Sequence, residues 1–284
     1  MLASGKEILA DADRRGCAVG GFDVFNMESA QAVVSAAEEA GVPVFLQICL
    51  VSLEHAGVGY GLALAREAAR AASVPICVHL DHGPEVSDVG QLKECMEAGF
   101  NSVMVDGSKL GFEENVSLTR RVVEMARPLG ICVEGEVGQV SRDTRATREA
   151  LDGLMTDADE AARFVEATGV DYLAVSVGSV SGFYQGRIEL NLERLRQIRA
   201  AVPVPLVFHG GTTIPEDQLK AAVRCGVRKV NIGRGLRKAF WEPVFHAASK
   251  EADLQQVDPR RILSQGRDGA REYVKTKISQ LSSP

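Results

Sequence analysis

The chain has 284 residues, 45% of them hydrophobic and 25% charged, with 28 glycines, 10 prolines and a mean hydropathy of -0.01. Those values are ordinary for a globular protein and exclude disordered, collagen-like and coiled-coil chains. Lysine and arginine number 32 against 38 aspartates and glutamates, a net charge of -6. No basic excess or basic run therefore points to nucleic acid or a membrane surface.

Taken in chain order, the predicted elements alternate from end to end. A helical segment at 5–15 opens the chain; it is polar and charged, unlike a signal peptide. Strand-like runs follow at 18–24, 43–48, 75–81, 102–106, 131–137, 172–178, 205–209 and 229–233. They are rich in Val, Ile, Leu and Phe, as strands buried on both faces should be. Amphipathic stretches separate them at 27–40, 61–72, 86–98, 113–126, 157–168, 192–200 and 215–225, with 236–248 and 258–281 after the last. Gly41, Gly99, Gly169 and Gly226 stand just past helix ends, where a left-handed residue is needed. Eight βα units without a composition break predict a single domain over 1–284, a TIM barrel with additional N- and C-terminal helices. A doubly wound open sheet is the weaker alternative, because no G-x-G-x-x-G follows the first strand.

The six cysteines (Cys17, Cys49, Cys77, Cys95, Cys132 and Cys225) have neither C-x-x-C nor metal-type spacing. They are expected to be reduced thiols in a cytoplasmic protein. No apolar stretch approaches the roughly 18 residues of a membrane span.

Catalytic groups of such a barrel sit at the C-terminal ends of its strands. The third strand ends His79-Leu80-Asp81-His82-Gly83 and the fourth Val105-Asp106-Gly107-Ser108. The fifth carries Glu134 and Glu136 on one face, by strand alternation. The seventh ends His209-Gly210-Gly211-Thr212, and the eighth Asn231-Ile232-Gly233-Arg234. Three of five histidines thus meet several carboxylates on one rim. Unpaired charge is too costly to bury for structure alone. Imidazole with carboxylate is also the ligand mix of zinc or another divalent ion.

The stretches GFDVFNMESAQAVVSAAEEAGVPVFLQ, VPICVHLDHG, AGFNSVMVDGSKLGFEENVSLTRRVV, VEGEVG, FVEATGVDYLAVSVG, PLVFHGG, GVRKVNIG and DPRRIL carry a resemblance nearly end to end. The chain resembles the class II, metal-dependent ketose-bisphosphate aldolases, the fructose- and tagatose-bisphosphate group. The resemblance implies metal-assisted retro-aldol and aldol carbon–carbon chemistry. It implies Asp81 as the acid–base residue, with His82 and His209 as metal ligands. Glu134 is the carboxylate expected near the metal, and Asp106 and Ser108 support the ligands. Asn231 is expected on the ketose carbons, and Gly210, Gly211 and Thr212 on a phosphate through backbone N–H groups. A homodimer or homotetramer is implied as well.

Departures from the family pattern cluster on the same rim. Ser181 stands where the third ligand histidine of G-x-x-H-G-x-Y belongs, Gln185 where many relatives carry lysine, and Arg234 where they carry a small hydroxyl residue. With Ser181 expected to contact the substrate and Arg234 offering a guanidinium fork to an anion, the expected substrate is a phosphorylated or otherwise anionic sugar-like molecule. Fructose 1,6-bisphosphate itself is not expected. The alternative is a non-catalytic sugar-phosphate-binding protein on the same scaffold. Lys229 is expected as an ion pair on the bottom face, Trp241 and Phe245 as packing residues, and His55, His246 and Arg142 on the surface.

Overall fold

The eight apolar runs form parallel strands buried on both faces: β1 Val19–Asp23, β2 Val44–Cys49, β3 Ile76–Asp81, β4 Ser102–Val105, β5 Cys132–Val137, β6 Tyr172–Val175, β7 Leu206–Phe208 and β8 Val227–Ile232. They hydrogen-bond in sequence order and β8 returns to β1, which closes the barrel. The structure, a computed structural model, describes residues 1–82, 89–250 and 257–282. Gly83 and the predicted helical residues 86–88 lie outside the described residues.

Helices α1 Gly5–Arg15, α2 Met27–Ala40, α3 Leu50–Ala56, α4 Val58–Ala71, α5 Val89–Ala98, α6 Phe112–Ala126, α7 Arg148–Asp152, α8 Ala158–Thr168, α9 Leu192–Ala201, α10 Glu216–Arg224, α11 Arg234–Ala248 and α12 Pro259–Ser282 surround it. This is the expected TIM barrel with extra terminal helices. Local chemistry sets the boundaries: Asn26 and Ser29 form a capping box at the start of α2, and Asp157 caps α8. The short α3 and α7 escaped the sequence, because fewer than two turns leave no periodic pattern to read. No helix among the described residues is long and apolar enough to cross a membrane.

Period-two alternation sorts the barrel interior into layers. At the bottom, Ile8 and Leu9 of α1 pack with Phe45, Cys77, Cys132 and Tyr172 and plug the barrel. One step up lie His79, Ser102, Glu134 and Lys229, all fully buried. The mouth layer carries Gln47, Asp81, Glu136, His209 and Asn231. Lys229 is therefore a barrel-interior residue and not a bottom-face one. The eighth strand begins at Val227, two residues earlier than expected, which lifts Lys229 into the core. The long α12 packs against α2 and α11, and its Lys277 donates to the Gly211 carbonyl at 3.0 Å. All six cysteines are free.

Gly21 of β1 shows how closely the scaffold meets the mouth layer. A Cβ there would overlap the Gln47 amide and stand 2.9 Å from Asn231 Oδ1. Gly21→Ala is expected to destabilise by about 1–3 kcal/mol, the usual cost of overpacking. Denaturant unfolding checks this, and an unchanged midpoint would show that the two amides yield freely.

Candidate active site

Asp81, the last residue of β3, is buried at the barrel mouth. Its Oδ1 accepts from Gln47 Nε2 at 3.3 Å and from Asn231 Nδ2 at 3.2 Å. The two amides fix the carboxylate orientation, and the carbonyl oxygen of each is buried without a partner among the described residues. Burial alone would raise the Asp81 pKa. Positive charge at His82 and Lys229 outweighs it and holds the carboxyl below its ordinary value. Gln47 was not anticipated, since a neutral amide inside an apolar strand carries no charge signal.

His82 follows immediately, with φ +46, the one positive φ outside glycine among the described residues. A β-strand end does not need that conformation, so it marks a side chain that the surroundings hold in place. Its Nδ1 lies 3.0 Å from Asp106 Oδ2, and Ser108 Oγ donates to Asp106 Oδ1 at 2.7 Å. Asp106 thus stands against His82, and Ser108 against Asp106. Burial would lower the His82 pKa, but Asp81, the Asp106 hydrogen bond and Glu136 push it up to about 9. The His82 and His209 rings are 4.6 Å apart at their centroids.

Two groups with metal-type spacing share His82: Asp81 with His82 and His209, and His82 with Asp106 and Glu136. Glu134 belongs to neither. It lies one layer deeper, where Lys229 Nζ donates to Oε2 at 2.7 Å and His209 Nε2 meets Oε1 at 3.2 Å. Both its oxygens are thus engaged, which leaves Glu134 poorly suited to the metal role expected of it. Glu136 has the opposite situation: its buried Oε2 has no partner among the described residues. Its desolvation pushes the pKa up to about 7, with Asp106 and Glu134 adding to the rise and His209 and His82 opposing it. Ser181 joins neither group; its backbone N–H donates to Ser141 O at 2.8 Å.

The mouth opens into a cavity of about 1600 Å³ that Asp81, His82, His209, Asn231, Ser181 and Arg234 help to line. On its β7–β8 side the expected anion cradle is only partly free. The Gly211 N–H is committed to Asn231 O at 3.0 Å, and Thr212 Oγ1 accepts from Gly235 N at 3.0 Å. Gly210 and Thr212 still line the cavity. Arg234 is exposed in the first turn of α11, its guanidinium beside Gly182 and without an ion pair among the described residues. Arg142 and His55 line the cavity too. Trp241 and Phe245 are 59% and 61% exposed, so neither is the packing residue expected, and Trp241 borders the cavity.

Residues 3–284 match the family described as fructose-bisphosphate aldolase class-II. The fructose-bisphosphate aldolase of Thermus caldophilus is 36% identical, covering 100% of this chain and 99% of its own length. The sulfofructosephosphate aldolase of Alkalicoccus urumqiensis is 34% identical over 99% of this chain and 96% of its own. Among solved structures, the YdjI aldolase from Escherichia coli K12 superposes with a TM-score of 0.84 at 32% identity, covering 100% of this chain and 98% of that one.

Glu136 makes stability depend on pH in a defined direction. Its folded-state pKa of about 7 lies above the ordinary 4.5, so the folded chain binds its proton more tightly. The contribution is fully present below about 4.5 and is lost as pH rises through 7. In metal-free protein, Glu136→Gln should therefore stabilise at pH 8 by up to about 3 kcal/mol and not at all near pH 4. Thermal melts across that range check it, and a gain independent of pH would refute the assignment.

Proposed function

The chain belongs to the class II fructose-bisphosphate aldolase family, and we propose, from Ser181, Gln185 and Arg234 on its rim, that its substrate is a phosphorylated or otherwise anionic sugar-like molecule other than fructose 1,6-bisphosphate. Membership makes the protein an aldehyde-lyase, and the family is typically metal-dependent. The observation that carries the reading is Asp81 itself: a buried carboxylate, held by two amides, within ligand distance of His82 and His209.

The donor set fits a divalent ion. His82 uses Nδ1 on Asp106 and keeps Nε2 open, and Glu136 has a buried oxygen without a partner. His82 and His209, which cluster with Asp81, would hold zinc or another divalent ion that accepts nitrogen and oxygen donors, and Glu136 stands in a second cluster with His82 and Asp106. Such an ion supplies a Lewis acid for the substrate ketone and for the charge left when the carbon–carbon bond breaks. Asp81 accepts the hydroxyl proton as that hydroxyl becomes the aldehyde carbonyl, and returns it in the condensation direction. Asn231 lines the cavity and offers its free carbonyl oxygen to a substrate hydroxyl.

Anion recognition falls to Arg234, at the positive end of α11, with Gly210 and Thr212 across from it. A guanidinium there suits a phosphate or a carboxylate bidentately, which a small hydroxyl residue does not. Gln185 is exposed and supplies no charge.

Two experiments test the reading. Asp81→Asn should lower turnover by roughly 10²- to 10⁴-fold, the usual worth of general acid–base catalysis. Full turnover in that variant would remove Asp81 from the chemistry, and a drop in melting temperature without a rate defect would leave it a structural carboxylate. Arg234→Ala should raise KM for the anionic substrate and leave metal affinity alone. Efficient cleavage of fructose 1,6-bisphosphate by the native chain, indifferent to that substitution, would overturn the substrate assignment.

A further inference from the structure

Beneath the mouth layer the barrel holds a second set of polar and charged groups that the aldol step does not use. Lys229, His79 and Glu134 are completely buried. Lys229 Nζ donates to Glu134 Oε2 at 2.7 Å and lies 3.5 Å from His79 Nε2, which is 3.6 Å from the same oxygen. His79 is anchored on its other side by Ser102 Oγ, 2.7 Å from Nδ1, and Ser102 in turn meets the Tyr172 hydroxyl. The remaining Glu134 oxygen, Oε1, is 3.2 Å from His209 Nε2. One line of contacts therefore runs from Lys229 through Glu134 to His209, from mid-barrel to the mouth.

A carboxylate accepts hydrogen bonds and donates none. With an ammonium on one oxygen, Glu134 is held in that form, and His209 Nε2 must carry the hydrogen that faces the other. The ring is thereby fixed as the tautomer whose lone pair is on Nδ1. The Asn231 amide nitrogen lies 3.1 Å from Nε2 and 3.3 Å from Nδ1, and it donates to Asp81 Oδ1 at 3.2 Å.

We propose that Lys229 is a positioning residue: through Glu134 it sets the tautomer and orientation of His209, so that Nδ1 is the nitrogen offered to a divalent cation. The inference rests on the reading of His209 as a metal ligand. It gives this buried lysine a role that a simple ion pair would not have, because its loss is felt at a group it does not touch.

The test compares the native chain with Lys229→Met, with the charge-balanced double variant Lys229→Met/Glu134→Gln, and with His209→Ala. Imidazole ¹⁵N–¹H spectra of metal-free protein report the His209 tautomer, and calorimetric titration reports zinc affinity. The native ring is expected in the Nε2–H form. In the lysine variants a mixed tautomer population is expected, with zinc binding weakened roughly 10- to 100-fold, the range typical for groups that orient a metal ligand. If Lys229→Met does not fold, the double variant carries the comparison. A folded variant with native tautomer and native zinc affinity, changed only in melting temperature, overturns the proposal and leaves a structural ion pair. Zinc affinity unchanged in His209→Ala would instead overturn the ligand reading, and this inference with it.

Discussion

Everything at the barrel mouth stands on one buried contact, the Lys229–Glu134 ion pair at 2.7 Å. Taking an ammonium and a carboxylate out of water costs several kcal/mol for each, and apolar residues of similar size would serve stability as well or better. The pair is better understood through geometry. It fills the middle of the barrel with groups of fixed direction, and the layer above inherits those directions. His209 rests on Glu134, Asn231 rests on His209, and Asp81 takes its orientation from Asn231 and Gln47. An apolar floor would fill the same volume and orient nothing.

The layer above separates two carboxylates that are alike in sequence. Asp81 is held below its ordinary pKa by the cations around it, whereas burial raises Glu136 to about 7. Opposite shifts within one layer of the barrel divide the labour. A low-pKa carboxylate flanked by imidazoles can take and return a proton. A desolvated carboxylate with an open oxygen is the one that gains most from a cation beside it. Glu134, paired on both oxygens, gains little.

How much of this the sequence disclosed follows from what a linear pattern can encode. Apolar runs bounded by glycine turns gave the barrel, because buried strands and helix ends have local signatures. Asp81, His82 and His209 were legible as polar residues at strand ends. Alternation, however, reports a face and not a height. Glu134 and Glu136 share a face, and the residue expected at the metal was the deeper of the two, already engaged by a lysine. The same limit misplaced Lys229, whose strand begins two residues earlier than its apolar core implied. Backbone commitments leave no trace either: Gly211 reads as a phosphate cradle, yet its N–H is spent on β8. Exposure of Trp241 depends on what lies opposite α11, which helical spacing does not record.

The distribution of the departures carries one further step. Asp81, His82, Asp106 and Glu136 lie on β3 to β5 or directly after them, where Asp106, itself held by Ser108, orients His82. Ser181, Gln185 and Arg234 lie after β6 and β8, on another sector of the rim. Loss of catalysis would loosen both sectors alike, since neither would be held to a purpose. Here His82, Asp106 and Ser108 are hydrogen-bonded together, while the other sector presents the Arg234 guanidinium beside Gly182. In a barrel the two can change independently, because each strand delivers its own loop to the cavity and the floor beneath holds the rest in register. On the proposed reading, the sector with Arg234 bears on which molecule is held, and the sector with Asp81 on what is done to it.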